Sequence, residues 1–182
     1  MFSDNRSRKV VFTVHCILNQ NSISDGTADF SGVNKELLQV LIDSGAGIVQ
    51  MPCPELCCLG LDRGNIYGAD SPVTVENTRI RREMKRPEAK KRMLELVEQV
   101  MYQIRQYRLH GFEILCIIGS NRSPCCGVDT TSDNNEEIAG QGVFTAALMQ
   151  AMEAEGINIP VIGVKAGAGY ADKLKGFLQE EI

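Results

Sequence analysis

The sequence predicts an α/β domain of the Rossmann-like, three-layer kind, with a mostly parallel sheet of about four strands. Two observations carry this. Short apolar runs rich in β-branched residues alternate with segments of helical periodicity three times over. The segments between strand-like runs are long enough for right-handed crossovers, which places helices on both faces of the sheet.

The elements follow in order. Residues 9–15 are β-branched and aromatic and predict a strand. A short helix is expected over 34–44, with Asn34 as its cap, Leu37, Leu38 and Leu41 as its stripe and Gly45 as its stop. Residues 47–51 predict a second strand. Pro87 suits a first helical turn, and Met93, Val97, Val100, Met101 and Ile104 recur at helical spacing until Gly111. Residues 113–118 read as a buried strand. Phe144, Ala147, Leu148, Ala151 and Met152 share one face of a helix near 142–155 that ends at Gly156. A fourth strand at 160–164 and a terminal helix at 171–180 complete the pattern. Between Cys53 and Arg86 the chain reads as one long irregular loop, and loops of that length usually carry function. No internal repeat or linker divides the 182 residues, so one domain is expected.

Composition narrows the function classes. A formal charge of −4 implies no general affinity for nucleic acid. No apolar run reaches the roughly 18 residues of a membrane span. The polar start from Met1 to Lys9 has no hydrophobic segment behind it, so a cytoplasmic location is expected. The oligomeric state is open, with a homodimer among the options. Seven cysteines, an odd count that includes the adjacent pairs Cys57-Cys58 and Cys125-Cys126, do not suit a disulfide framework. In a reducing compartment such clustering points to metal or catalysis.

The placement of these cysteines is more informative than their number. Cys16 follows the first strand-like run, Cys53 follows the second, and Cys125 and Cys126 lie in the turn after the third. In a parallel sheet those three positions meet beyond the carboxyl ends of the strands, where open α/β sheets bind ligands. Three thiolates would hold an iron–sulfur or soft-metal centre with one position open. Cys116 lies within a strand and reads as core packing. Cys57 and Cys58 read as packing or pocket wall, with extra ligation as the alternative.

Cys16 followed by Asp25-Gly26, then Pro52-Cys53-Pro54-Glu55, then Ser123-Pro124-Cys125-Cys126-Gly127 and Gly142-Val143-Phe144, resembles the DUF523, or 2-thiouracil desulfurase, family. Order and spacing match across roughly residues 10–166. The resemblance implies a [4Fe-4S] cluster held by Cys16, Cys53 and Cys126, whose fourth iron takes sulfur from a small thiocarbonyl substrate. The chain departs from the family pattern at Ser22, where the family often has cysteine. It also departs at Cys125, where serine is usual, and over Leu56-Cys57-Cys58-Leu59-Gly60-Leu61-Asp62-Arg63, where the family is glycine-rich.

Non-redox carbon–sulfur cleavage at a thiophilic Lewis acid needs a group that activates water. Glu55, two residues past Cys53, is the first candidate and Asp25 the second, each with turn-forming as its alternative role. Ser123 is expected to donate a hydrogen bond to substrate or cluster, or else to shape its turn. Arg122 and Arg63 are expected to bind substrate. His15, if it sits on a regular strand, points opposite to Cys16 and belongs to the core. His110 suits the end of the long helix.

Residues 79–92 hold eight of the nineteen lysines and arginines and read as a solvated face rather than a phosphate site. The acidic stretch 129–137 reads as an exposed loop or lid. The glycines of 163–169 lack the spacing and position of a dinucleotide fingerprint. Three other readings share the same residues: a zinc hydrolase, an iron–sulfur or sulfur carrier or sensor, and an electron-transfer protein.

Overall fold

Four parallel strands form the centre of the molecule, seen here in a computed structural model that describes residues 2–166 and 169–180. In chain order the elements are β1 (Lys9–Thr13), α1 (His15–Leu18), α2 (Lys35–Asp43), β2 (Gly47–Gln50), α3 (Pro54–Leu59), α4 (Val73–Glu83), α5 (Pro87–Leu109), β3 (Glu113–Ser120), β4 (Thr130–Asp133), β5 (Glu136–Ala139), α6 (Val143–Ala154), β6 (Val161–Val164) and α7 (Tyr170–Glu180). The main sheet has the order β2-β1-β3-β6, every pair parallel. Helix α5 packs on α6, and α2 packs on α7. These two helical layers sandwich the sheet, which makes the fold a Rossmann-like three-layer α/β architecture.

The strand order locates the ligand-binding edge. From β1 the chain steps outward to β2, then returns past β1 to β3. The reversal puts a crevice between the carboxyl ends of β1 and β3. Val11, Phe12, Ile117 and Ile118 on those two central strands are buried, and the stripe Met93, Val97, Val100, Met101 and Ile104 of α5 packs with them in one core.

The local signals behave as their chemistry requires. Asn34 Oδ1 accepts from the Leu37 amide at 3.2 Å and starts α2. Pro87 opens α5, and Gly111 takes φ 74° just past its end.

Three segments differ from the sequence reading. The first strand stops at Thr13, and the chain turns into α1, so His15 and Cys16 are helical neighbours rather than alternating strand residues. Segment 53–86 is not one irregular loop but contains α3 and α4. Helix α4 was hidden because its buried residues include Glu76, Asn77 and Thr78, which leave no apolar stripe. The acidic stretch is a β-hairpin, β4 against β5, whose tip residues Asn134 and Asn135 both have positive φ, as tight hairpin turns require. Gly167 and Ala168 of the glycine stretch lie outside the described residues.

Candidate functional site

A cavity of about 120 Å³ opens at the carboxyl edge of the sheet. Cys16, Cys53, Cys126, Glu55, Arg63, Arg122 and Ser123 all line it. Its wall comes from the segments that follow β1, β2, β3 and β6, so residues far apart in sequence share one space.

Each of the three lining cysteines has a polar neighbour that favours its thiolate. Cys16 sits in α1, where the Ser120 side chain at the end of β3 plays that part. Cys53 caps α3: its Sγ accepts from the Leu56 amide at 3.5 Å and from Arg63 Nη2 at 3.8 Å. Cys126 lies in the turn after β3 and is paired with the Ser123 hydroxyl. Those neighbours favour the thiolate, but burial opposes them and wins. The Cys16 thiol is pushed up to about 11, by burial first and then by the Glu55 charge. Cys53 is pushed up to about 12, again by burial first and by Glu55 next. Burial also raises Cys126, followed by the charges of Cys53 and Cys16, which places the three sulfurs in mutual electrostatic reach. Without a cation in the cavity these groups are neutral thiols. Metal binding would release their protons.

The other cysteines stand apart. Cys116 is inside β3 and fully buried. Cys125 is buried too, and burial first, then the Glu55 charge, raises its thiol well above the ordinary value. Cys57 is exposed, and Cys58 packs against the core.

Arg63 is the best-connected side chain of the site. It is 2% exposed. Its Nε pairs with Glu55 Oε2 at 3.3 Å. Its Nη1 donates to the carbonyls of Gly60 and Leu61, each at 2.9 Å, and its Nη2 to the Ser22 carbonyl and to Cys53 Sγ. All five N–H groups of the guanidinium are thus engaged within the protein. The expectation that Arg63 binds substrate is corrected on that ground: it ties Cys53, Glu55 and the 60–61 loop together. Ser24 Oγ adds a further donor to Glu55 Oε2 at 3.3 Å.

Asp25 is also corrected. It is exposed, accepts from the Gly26 amide at 3.0 Å in a turn and does not line the cavity, whereas Asp29 does. Ser123 shapes its turn. Its Oγ accepts from the amides of Cys125 at 3.2 Å and Cys126 at 2.9 Å, and it serves the Cys126 thiol. His15 lines the cavity instead of joining the core, and Gln50 Nε2 meets its Nδ1 at 2.7 Å. His110 caps the end of α5 and stacks edge-on against Phe2.

Two arginines of the basic stretch turn inward rather than to solvent. Arg81 Nη1 donates to the carbonyls of Pro124 and Gln141 and to Thr131 Oγ1, which fastens α4 to the cysteine turn. Arg79 pairs with the buried carboxylate of Glu76 and donates to the Arg63 carbonyl at 2.8 Å.

Sequence reasoning missed Ser24, Asn77, Ser120 and Asn121, all of which line the cavity. Asn121 Oδ1 accepts from the amides of Val128 and Asp129, at 3.2 and 3.0 Å, and holds the turn's outgoing limb. Asn121 directly follows β3, but the strand expected from the sequence stops at 118, so no local signal marked it.

Fold and site together define an α/β protein with a thiol-lined cavity at the carboxyl edge of its sheet. A similar protein, an uncharacterized protein of Methanocaldococcus jannaschii, is 26% identical over 123 residues, which is 68% of this chain and 70% of that one. No family model and no solved structure matches the chain. Among the described residues no helix is long and apolar enough to cross a membrane. Nor do three or more His, Cys, Asp or Glu side chains there form a group that could hold a metal ion.

Proposed function

We propose that this chain is an iron–sulfur desulfurase that removes sulfur from a small thiocarbonyl compound, and that it is a divergent relative of the DUF523, or 2-thiouracil desulfurase, family. The observation that carries the reading is the convergence of Cys16, Cys53 and Cys126 on one cavity, where polar neighbours favour their thiolates. Outer groups of this kind orient ligands and tune a metal centre. The donor set, three thiols lining one cavity, is the kind that holds a [4Fe-4S] cluster with one iron left open.

Cys16, Cys53 and Cys126 would hold the cluster, which when bound supplies a thiophilic Lewis acid that polarises a C=S bond. The chain's own residues do the rest. Arg63 holds the Cys53 sulfur and the Glu55 carboxylate in fixed relation. Glu55 takes a proton from the water that adds to the thiocarbonyl carbon, and that proton later leaves with the released sulfide. Ser123 fixes Cys126, and Arg122 faces the incoming substrate. No net electron transfer occurs: water replaces sulfur on carbon, so C=S becomes C=O and hydrogen sulfide departs.

Anaerobic purification with iron and sulfide analysis tests the reading. The intact chain should carry about four of each per molecule. Cys16→Ala, Cys53→Ala and Cys126→Ala should each lose most of it, while Cys116→Ala keeps it. Equal iron in all four variants would refute the ligand set. Glu55→Gln should retain the cluster and slow sulfide release from thioamides or thionucleobases. Sulfide release over many turnovers separates an enzyme from a carrier or sensor.

A further inference from the structure

Four arginines stand on or beside the cavity, and three of them are engaged in holding the protein together. Arg63 uses all five donors internally. Arg79 serves Glu76 and the Arg63 carbonyl. Arg81 serves three oxygens around the cysteine turn and pairs with Asp133 at 3.1 Å.

Arg122 is different. It lines the cavity, half-buried, yet among the described residues its guanidinium makes no hydrogen bond and no ion pair. Its backbone is the opposite case. Arg122 holds φ 71°, a left-handed conformation uncommon for a residue with a side chain. Its amide donates to Thr130 O and Thr130 Oγ1, each at 3.1 Å. Its carbonyl accepts from Ser132 Oγ at 2.7 Å and from Asn77 Nδ2 at 3.5 Å. A strained backbone so firmly clamped, carrying a charged fork with no partner, is a presentation device.

The nearby charges do not neutralise that fork. Glu137 feels the Arg122 charge, but its oxygens already accept from Lys165 at 2.8 Å and Thr130 Oγ1 at 2.7 Å. Glu55 is paired with Arg63. Asp29, the remaining carboxylate of the lining, is exposed to water. We infer that Arg122 is an anion-recognition subsite, and that the substrate of this cavity carries a carboxylate or a phosphate, bound in bidentate fashion by its guanidinium. The inference rests on the cavity being a substrate site, not on the identity of the metal centre.

The test is an NMR titration of the metal-free chain with inorganic phosphate and, separately, with acetate, followed through the amides of residues 121–132. One or both probes should give saturable shifts there. Arg122→Gln should weaken that binding roughly tenfold or more, and Lys91→Gln, an exposed change elsewhere, should not. Phosphate alone would assign a phosphorylated substrate, and acetate alone a carboxylate one. Arg122→Asn, which tolerates the left-handed backbone, guards against misfolding of the first variant. No saturable shift with either probe, or unchanged affinity in both Arg122 variants, overturns the subsite. Anion binding without sulfide release keeps this inference and removes the proposed activity, while sulfide release without anion binding does the reverse.

Discussion

The two ends of the main sheet are built on different terms. At the amino end the chain only has to turn back: segments 44–46, 110–112 and 155–160 return it from α2, α5 and α6 to β2, β3 and β6. Gly45 and Gly111 are there for their backbone angles, φ 67° and 74°, and an added Cβ on either would meet nothing. The cleft beside these turns is an aromatic one, with Phe2 edge-on to His110 and Phe112, and Tyr107 tilted against Phe112. At the carboxyl end the connections 14–34, 51–72 and 121–142 are long and carry the thiols. Gly26, Gly60, Gly64 and Gly140 there also take positive φ, but Gly142, in the last connection, and Gly163, in β6, serve space instead. A Cβ on Gly142 would lie 2.2 Å from the Cys125 carbonyl carbon, and one on Gly163 would lie 2.3 Å from Asn121 Oδ1. One end is thus a set of hinges, while the other is a packed mount for side chains.

The contrast can be broken at three points, the largest first. Arg63→Met should cost about 3–5 kcal/mol of unfolding free energy, because it strands a buried carboxylate. Adding Glu55→Gln should restore part of that, as read by urea denaturation. A loss below about 1 kcal/mol would mean the pair is not the strut described. Next, Gly142→Ala should cost about 3 kcal/mol through overpacking, while Gly45→Ala costs about 1 kcal/mol through its left-handed angle alone. Equal losses would erase the distinction between mount and hinge.

The smallest effect is kinetic and concerns neighbours in sequence. Burial pushes the Cys58 thiol up to about 11, whereas Cys57 is exposed. At pH 8 Cys58 is therefore protonated and unreactive. It gains thiolate only as the pH climbs toward about 11. Alkylation followed by mass spectrometry should mark Cys57 first at pH 8, with Cys58 catching up at high pH. Simultaneous labelling at pH 8 would show that α3 does not present the two thiols differently.

The amino end was easy to read, because its hinges are written in single residues such as Gly45 and Gly111. The meeting of Cys16, Cys53 and Cys126 was legible as well, since each follows a strand-like run. What joins them was not. Arg63 looks like a surface residue in any composition, and only tertiary packing reveals that its charge is buried against Glu55. Helix α4 escaped for the same reason, since it buries Glu76 and Asn77 where a periodicity argument looks for leucine. Asp25 misled because an Asp-Gly pair marks a turn whether or not the turn faces a cavity.

The dispersal of the cavity wall along the chain has a consequence for biosynthesis. While the ribosome is still making the first hundred residues, Cys16 and Cys53 exist but Ser120, Ser123 and Cys126 do not. A nascent chain therefore displays two thiols with half their setting missing, open to oxidation or to stray ions. The cavity is complete only once β3 has slotted in beside β1 and Gly142 has closed over the last turn. In the reading proposed above, a cluster would then be loaded onto the finished protein, and any factor that delivers it would have to recognise that finished surface.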